Sequence, residues 1–318
     1  MRSRVRFALT GTPVENRLGE LWSIFSFLMP GYLPPYKSFC SRFEKPIVQE
    51  EDQTAVRRLN QLTGPFILRR MKSDVLKELP PKTENVYRIE LEEEQRKLYL
   101  AAVVDAREKL QAAKPEDKMA VFAVLMRLRE ICCDPRLIAD NWEGGSAKLD
   151  ACVELVSSAV EGGHRILLFS QFTSMLELLA KRLDAEGISH FTLQGSTPKP
   201  VRAELVRRFN GGEVSVFLIS LRAGGTGLNL TAADIVIHYD PWWNVAAQNQ
   251  ATDRAYRIGQ QNPVQVYKLI AQDTIEEKIV ELQQAKQSLA DTVTGTADGA
   301  ILSMRPDELL QLLEGSEP

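Results

Sequence analysis

The sequence predicts an α/β fold in which a parallel β-sheet is covered by helices on both faces. From Ser146 onward, short and nearly continuous apolar runs alternate with amphipathic helical patterns. Strands that are apolar along their whole length are typical of parallel sheets, because helices bury both faces of such a sheet. Ligands of these sheets bind beyond the carboxyl ends of the strands. Functional residues are therefore expected directly after the predicted strands.

The order of strands and helices in this region supports the parallel sheet. Strands are predicted at Arg165–Ser170, His190–Leu193, Val214–Ser220, Ile235–Tyr239 and Val264–Ile270. Helices are predicted at Lys148–Val160, Ser174–Glu186, Pro200–Asn210, Val245–Ile258 and Thr274–Leu289, with a short one at Arg305–Leu313.

The residues before Ser146 are predicted to be mainly helical. Val5–Leu9 is strand-like, and apolar residues at helical spacing follow it up to Leu28. Further on, helical patterns surround a single strand-like segment at Asn85–Leu91. The sequence therefore divides into an isolated strand and helix (residues 1–31), a mainly helical insertion (32–145), the sheet domain (146–290) and a tail with a short helix (291–318).

Composition limits the function classes. The net charge of −3 does not suggest a polybasic surface, so any nucleic-acid contact must be a local groove. The four cysteines lack paired CxxC spacing and the three histidines lie far apart, so no structural metal is expected. No signal-peptide pattern or apolar run of membrane-spanning length occurs. We expect a cytoplasmic protein, associated with the nucleoid in a bacterium, or a nuclear one in a eukaryote.

The segment Asp240–Gln260 carries the densest chemistry. If Val245–Ile258 is one helix, Gln250, Arg254 and Arg257 project from the same face at i, i+4 and i+7. Two arginines one turn apart form a fork of donors that suits phosphate oxygens. A solvated face with surface ion pairs is the alternative, since Asp253 is adjacent.

Two other features follow predicted strands. Gly224, Gly225 and Gly227 come after Val214–Ser220 and would let the backbone approach a phosphate or a nucleic-acid strand. A dinucleotide site fits poorly, because this turn falls late in the sheet and opens no clear helix. A tight structural turn remains an alternative.

The adjacent residues Trp242 and Trp243 follow the strand Ile235–Tyr239. If Trp242 is buried, Trp243 should point elsewhere, and an exposed tryptophan at a strand end suits stacking against nucleic acid. Core packing is the alternative.

Six segments together resemble, in order, the successive motifs of the Swi/Snf family of superfamily-two helicase-like ATPases. They are LTGTPVENRLGELWSIFSFLMPG, FILRRMKSDV, ILLFSQF, LQGSTPKPVRAELVRRFN, LISLRAGGTGLNLTAADIVIHYDPWWN and QATDRAYRIGQ. The resemblance implies RecA-like lobes, with 146–290 as the second lobe (the helicase C-terminal domain) and 1–31 as the end of the first. Val245 departs from the proline that is usual in the family.

The resemblance also implies roles for individual residues. A coupling motif between nucleotide and DNA would comprise Thr10, Gly11, Thr12 and Pro13. Contacts to DNA would come from Ser170, Gln171, Gly195, Ser196, Ser220, Arg222 and Trp243. The nucleotide side of the site would include Gly225, Gly227, Asn229 and Asp253. Catalysis would depend on Gln250, Arg254 and Arg257, with the two arginines reaching the ATP phosphates.

The sequence contains neither a GxxxxGK[ST] phosphate loop nor an acidic Walker-type pair at a strand end. We therefore expect the chain to be the carboxy-terminal part of a larger ATPase and to lack ATPase activity alone, because most groups that bind ATP and Mg²⁺ would lie in the missing first lobe. The resemblance implies a translocase on double-stranded DNA that remodels protein-DNA complexes, for example by displacing a DNA-bound protein such as RNA polymerase. The alternative is a non-catalytic DNA-binding or adaptor module.

Overall fold

The computed structural model describes residues 3–10, 18–50, 52–68, 76, 78–114, 117–224, 227–283 and 306–314. These residues form two compact units. The smaller is built on Met1–Lys77 and the larger on Glu78–Trp243 with Ala247–Glu281. The larger unit thus begins at Glu78, well before the predicted start of the sheet domain at Ser146.

The smaller unit consists of short helices around an apolar cluster. Its helices are α1 (Leu18–Leu28), α2 (Tyr36–Phe39), α3 (Lys45–Gln49) and α4 (Gln53–Thr63), and a π-helical turn (Cys40–Glu44) joins α2 to α3. Asp52 caps α4 by accepting a hydrogen bond of 2.7 Å from the backbone amide of Thr54. The cluster contains Leu18, Leu21, Phe25, Leu33, Phe39, Phe43 and Leu59.

The predicted strand Val5–Leu9 is not a strand in the structure. Phe7 is 83% exposed and Leu9 fully exposed, and no described strand pairs with this segment. A strand needs a neighbouring strand to satisfy its backbone hydrogen bonds, so an apolar run alone is insufficient.

A six-stranded parallel sheet organises the larger unit, as the sequence predicts. The strands are β1 (Lys82–Ile89), β2 (Ile166–Ser170), β3 (His190–Leu193), β4 (Val216–Ser220), β5 (Ile235–His238) and β6 (Val264–Ala271). Their order across the sheet is β1-β6-β5-β2-β4-β3. Every residue of β2, β4 and β5 is buried.

Helices cover both faces of this sheet. The helices of this part of the chain are α5 (Glu93–Ala112), α6 (Lys118–Cys133), α7 (Ala147–Glu161), α8 (Thr173–Ala185), α9 (Lys199–Asn210), α10 (Leu221–Gly224), α11 (Val245–Thr252), α12 (275–283) and α13 (Pro306–Glu314). Helix α13 packs against α5 and α6. The apolar core on one face includes buried residues of α7 and α8, and the core on the other includes Phe209 of α9. The predicted fold class is confirmed.

Strand β1 comes from the segment predicted to be a helical insertion. It forms an edge of the sheet, paired in parallel with β6 from Lys82 opposite Val264 to Ile89 opposite Ala271. The strand-like pattern at Asn85–Leu91 indicated only part of it, because an edge strand is mostly exposed and its sequence can be polar.

Helix α11 is shorter than predicted and ends at Thr252 instead of Ile258. Beyond it the amides of Arg254 and Ala255 bond to carbonyls only three residues back. The carbonyl of Arg254 accepts a hydrogen bond of 3.0 Å from the amide of Leu230. This tertiary bond uses a carbonyl that a continuing helix would need, so the chain turns here.

Candidate functional site

The carboxyl edge of the sheet collects several of the predicted site residues. Ser170 ends β2, Ser220 ends β4, and Gly195 and Ser196 follow β3. Because β2, β4 and β3 are neighbouring parallel strands, their carboxyl ends lie on the same edge. The structure therefore brings these residues to one side of the sheet, as the sequence predicts.

Asp240 organises the ends of β2 and β5. One of its carboxylate oxygens accepts hydrogen bonds from the Ser170 hydroxyl (2.6 Å) and the Gln171 amide (3.2 Å). The other accepts from the Arg129 guanidinium at 3.2 Å. Burial raises the pKa of Asp240 above its ordinary value, although the charge of Arg129 opposes this. The carboxylate thus acts as a structural link between three chain segments.

The two serines predicted to contact DNA point into the protein. Both Ser170 and Ser220 are buried. The Ser170 hydroxyl donates to Asp240, and the Ser220 hydroxyl accepts from the amide of Ala223 at 3.3 Å. In this structure their side chains shape the turns after β2 and β4, and a direct DNA contact from either stays a prediction.

Trp243 is packed and is not the exposed ring that a stacking site would present. It is 8% exposed, whereas Trp242 is only partly buried. Its ring lies 4.6 Å from the Arg129 guanidinium and 6.0 Å from the ring of Phe122. Of the two interpretations, the structure shows core packing, because a buried arginine supplies a cationic partner for the indole. A contact of Trp243 with a DNA strand stays a prediction.

The side chain of Arg202 forms hydrogen bonds with the backbone of the loop after β3. Its guanidinium donates to the backbone carbonyls of Thr197 (2.8 Å), Gln194 (3.2 Å) and Gly195 (2.9 Å). Gly195 and Ser196 are exposed, and a Cβ at Gly195 would meet no atom within 4 Å. These three hydrogen bonds fix the backbone of the loop, while Gly195 and Ser196 stay exposed.

The loop after β4 that contains Gly227–Leu230 (the glycine loop) is hydrogen-bonded to the turn after α11 that contains Arg254 and Arg257 (the arginine turn). Arg257 donates from Nη1 to the Leu228 carbonyl at 3.3 Å, and Leu230 donates its amide to the Arg254 carbonyl at 3.0 Å. Gly227 has a φ of +37°, in the left-handed region that favours glycine. Asn229 is exposed. These bonds place both arginines beside the loop, which the sequence pattern did not reveal.

The arginine turn brings two positive charges together. Arg254 is 9% exposed and Arg257 is partly buried. Burial lowers the pKa of Arg254, and the neighbouring charge of Arg257 lowers it further, while Asp253 raises it. A close pair of guanidinium groups is suited to an anionic ligand such as phosphate. The predicted helical face that includes Gln250 does not exist as such, because α11 ends before Arg254.

Other predicted residues lie partly or wholly outside the described part of the chain. Gly11, Thr12, Pro13 and Gly225 are not among the described residues, and Thr10 is exposed in the smaller unit. For Arg222 only the backbone in α10 is described.

The described residues contain no group of three or more His, Cys, Asp and Glu side chains that could hold a metal. They also contain no helix with the length and apolar character needed to cross a membrane. Guanidinium groups such as those of Arg254 and Arg257 suit phosphate oxygens in general. Among the described residues, no cluster of carboxylates of the kind that holds Mg²⁺ is present.

Sequence reasoning missed Arg129 and Asp240. A possible signal was present in α6, where Arg129 stands among the apolar residues Leu128, Ile131 and Cys132. A charged residue in such a setting predicts a buried ionic partner, although it does not say which. The partner, Asp240, lies 111 residues away.

Comparison with known families gives the identity of the fold. Residues 1–137 match the model of the SNF2-related domain, and residues 147–259 match the helicase conserved C-terminal domain. The chain belongs to the SWI/SNF family. The match to the SNF2-related domain extends through α5 and α6, which in the structure belong to the larger unit together with the sheet.

Relatives in this family are found in bacteria and animals. The chain is 40% identical over 312 residues to an uncharacterized ATP-dependent helicase of Mycoplasma genitalium, covering 96% of this chain and 30% of the relative. It is 37% identical over 329 residues to the mouse SWI/SNF-related matrix-associated actin-dependent regulator of chromatin subfamily A member 1, covering 98% of this chain and 31% of the relative. The chain therefore spans about a third of the length of these curated relatives.

A solved structure has the same fold. The Sulfolobus solfataricus SWI2/SNF2 ATPase core in complex with dsDNA matches with a TM-score of 0.63 and 34% identity, covering 95% of this chain and 65% of that chain. The C-terminal domain of the Sulfolobus ATPase matches with a TM-score of 0.60 and 29% identity, covering 72% of this chain and 96% of that chain.

Proposed function

We propose that this chain is the C-terminal part of an ATP-dependent translocase on double-stranded DNA, and that the sheet unit is its second RecA-like lobe. The observation that carries the proposal is the attachment of the Arg254–Arg257 turn to the glycine loop after β4. That attachment holds the guanidinium of Arg257 and the backbone of Arg254 beside a loop that follows a strand of a parallel sheet. The family relatives are ATP-dependent helicases, and the Sulfolobus structure holds dsDNA.

ATP hydrolysis would depend on this chain for positive charge. Arg254 and Arg257 would stabilise the charge that develops on the transferred phosphoryl group, with Gln250 as a third polar contributor. Gly225, Gly227, Asn229 and Asp253 would lie on the nucleotide side of the site. The groups that bind most of the ATP and its Mg²⁺ would come from the first RecA-like lobe of a longer protein.

DNA would lie against the loops at the carboxyl edge of the sheet. The exposed residues Gly195 and Ser196 would meet the phosphate backbone, with Gln171, Arg222 and Trp243 on the neighbouring loops. The segment Thr10–Pro13 would couple nucleotide state to DNA. Translocation would displace a DNA-bound protein, of which RNA polymerase is one example, in the cytoplasm or nucleoid of a bacterium or in a eukaryotic nucleus.

The arginine assignment is tested by Arg257→Ala in the full-length protein. Loss of an arginine finger costs on the order of 10³ to 10⁵ in turnover, so DNA-stimulated ATPase activity should nearly disappear. Arg207→Ala is a matched control, because Arg207 is exposed and, among the described residues, forms its ion pair with Glu204 of its own helix. Retention of most of the ATPase activity by Arg257→Ala would refute the assignment.

A non-catalytic DNA-binding or adaptor module is the second candidate, favoured by the absence of a phosphate loop from this sequence. ATP hydrolysis by the full-length protein, with Arg257→Ala as the inactive reference, discriminates between the two. We expect no hydrolysis by the 318-residue chain alone and weak, salt-sensitive binding of duplex DNA. Duplex binding that does not change with salt would contradict the prediction that DNA phosphates bind in a local groove.

A further inference from the structure

Helix α6 places one arginine beneath the turn formed by residues 240–243. Arg129 is completely buried, and its guanidinium donates to both the Asp240 carboxylate and the Pro241 carbonyl. A buried arginine is costly unless its charge is paired, so the position demands a specific partner. That partner is the first residue of the turn.

The same pair extends to the neighbouring strand. Asp240, which Arg129 holds on one oxygen, accepts hydrogen bonds from Ser170 and Gln171 on the other. One ionic contact therefore joins α6, the end of β2 and the turn after β5. Three residues predicted to contact DNA, Ser170, Gln171 and Trp243, all contact this pair.

Two aromatic rings pack against the guanidinium of Arg129. Its central carbon lies 4.6 Å from the ring centre of Trp243 and 5.6 Å from that of Phe172. The Nε and Nη1 atoms of Arg129 have no hydrogen-bond partner among the described residues. A planar cation that is stacked instead of fully hydrogen-bonded cannot be replaced by lysine, whose charge is compact and has no flat face.

We infer that Arg129 is a positioning residue that fixes the turn 240–243 at the proposed DNA edge, with the buried ring of Trp243 packed against its guanidinium. The inference rests on the proposed function. Helix α6 lies in the segment that the sequence predicts to be an insertion. Through Arg129, this helix would contribute to DNA binding. Because Arg129 is buried, it acts through the turn and does not itself touch a phosphate.

A second buried ion pair provides a matched control. Lys148 pairs with Glu276, and both are fully buried, like Arg129 and Asp240. Glu276 also accepts from the amide of Ala271 at 2.9 Å, so this pair anchors the end of β6, and it makes no hydrogen bond to the turn 240–243 among the described residues. The Lys148 ammonium also lies 5.4 Å from the ring centre of Tyr239, the residue before the turn. Replacing both members should leave the Arg129–Asp240 contact, and with it Trp243, in place at a small cost in stability.

The experiment uses the 318-residue chain with Trp22, Trp142 and Trp242 changed to Phe, which leaves Trp243 as the only tryptophan. Into this background go Arg129→Lys, the double variant Arg129→Met/Asp240→Asn, and the control Lys148→Met/Glu276→Gln. The readouts are acrylamide quenching of Trp243 fluorescence, the urea midpoint, and fluorescence anisotropy of a labelled DNA duplex over a range of salt concentrations.

Both Arg129 variants should increase the quenching of Trp243 and weaken duplex binding on the order of tenfold, because a displaced turn costs about one contact to the duplex. The slope of log affinity against log salt should stay unchanged, whereas a lost phosphate contact would reduce it by about 0.9. The control should leave the quenching of Trp243 and the duplex affinity at their parental values.

Two results would overturn the inference while leaving the proposed function intact. Unchanged quenching in Arg129→Lys would show that the guanidinium does not position Trp243. Increased quenching with parental duplex affinity would show that the turn is not needed for DNA contact. If the background chain itself binds no duplex at low salt, the proposed function fails, and the DNA role of Arg129 fails with it.

Discussion

Acidification should destabilise the sheet unit through His238, the last residue of β5. Its Nε2 lies 2.8 Å from the Thr252 hydroxyl, which donates in turn to the Gln248 carbonyl at 3.3 Å. The hydroxyl proton is thereby used, so Nε2 carries the proton and Nδ1 carries none. Nδ1 is buried without a hydrogen-bond partner among the described residues. Burial lowers the pKa of His238 to about 3, since a proton on Nδ1 would create a charged donor with no acceptor.

The size of the effect follows from proton linkage. The unfolded histidine titrates at about 6.5, so between that pH and the folded pKa of about 3 the unfolded state binds one more proton than the folded state. Stability therefore falls as the pH falls through this window, by about 1.4 kcal/mol per pH unit. Between about pH 6.5 and pH 5, His238 alone should remove about 2 kcal/mol from the free energy of unfolding.

Urea unfolding at about pH 7.5 and about pH 5 measures this contribution when the parent is compared with His238→Gln. Glutamine can still donate to Thr252 but does not titrate, so the variant should lose about 2 kcal/mol less than the parent on acidification. His190→Gln is the control, because His190 is only partly buried. Equal dependence of stability on pH in the parent and in His238→Gln would refute this role of His238.

Three other substitutions test the loops and the second ion pair. Arg202→Gln should weaken duplex binding about tenfold in an anisotropy assay, because the carbonyls of the loop after β3 lose a charged donor; parental affinity would refute the role of the loop. Gly195→Ala should leave the urea midpoint unchanged, since its Cβ meets no atom within 4 Å, and should still reduce duplex affinity; equal affinity would show that DNA does not approach this residue. Lys148→Met should lower the free energy of unfolding by about 3–5 kcal/mol, because it leaves Glu276 buried without its cation. Adding Glu276→Gln should restore most of this loss, and an unaffected urea midpoint in Lys148→Met would contradict the pairing.

The boundaries of α7 show what periodicity can predict. The pattern places this helix at Lys148–Val160, and the structure has Ala147–Glu161. Its buried residues Leu149, Cys152, Val153 and Val156 recur at helical spacing because they face one sheet. The bounds of α7 are therefore specified by residues that lie close together in the sequence.

The end of α11 shows where periodicity fails. Nothing between Thr252 and Ile258 disfavours a helix strongly, since alanine and arginine are good helix formers. The helix ends because Leu230, far away in the sequence, takes the carbonyl of Arg254. The arginines consequently stand beside the glycine loop by tertiary hydrogen bonding and not by sharing a helical face with Gln250.

By itself, the sequence determined the family, the parallel sheet and the positions of most helices around it, because motif order, apolar strands and helical periodicity are properties of contiguous residues. The tertiary structure alone decided that Lys82–Ile89 joins the sheet, that Trp243 is buried, and that Arg129 meets Asp240. Each of these depends on a contact between residues far apart in the chain. The free energy of such a contact comes from burial and pairing in the folded state, so no local pattern of residues can specify it.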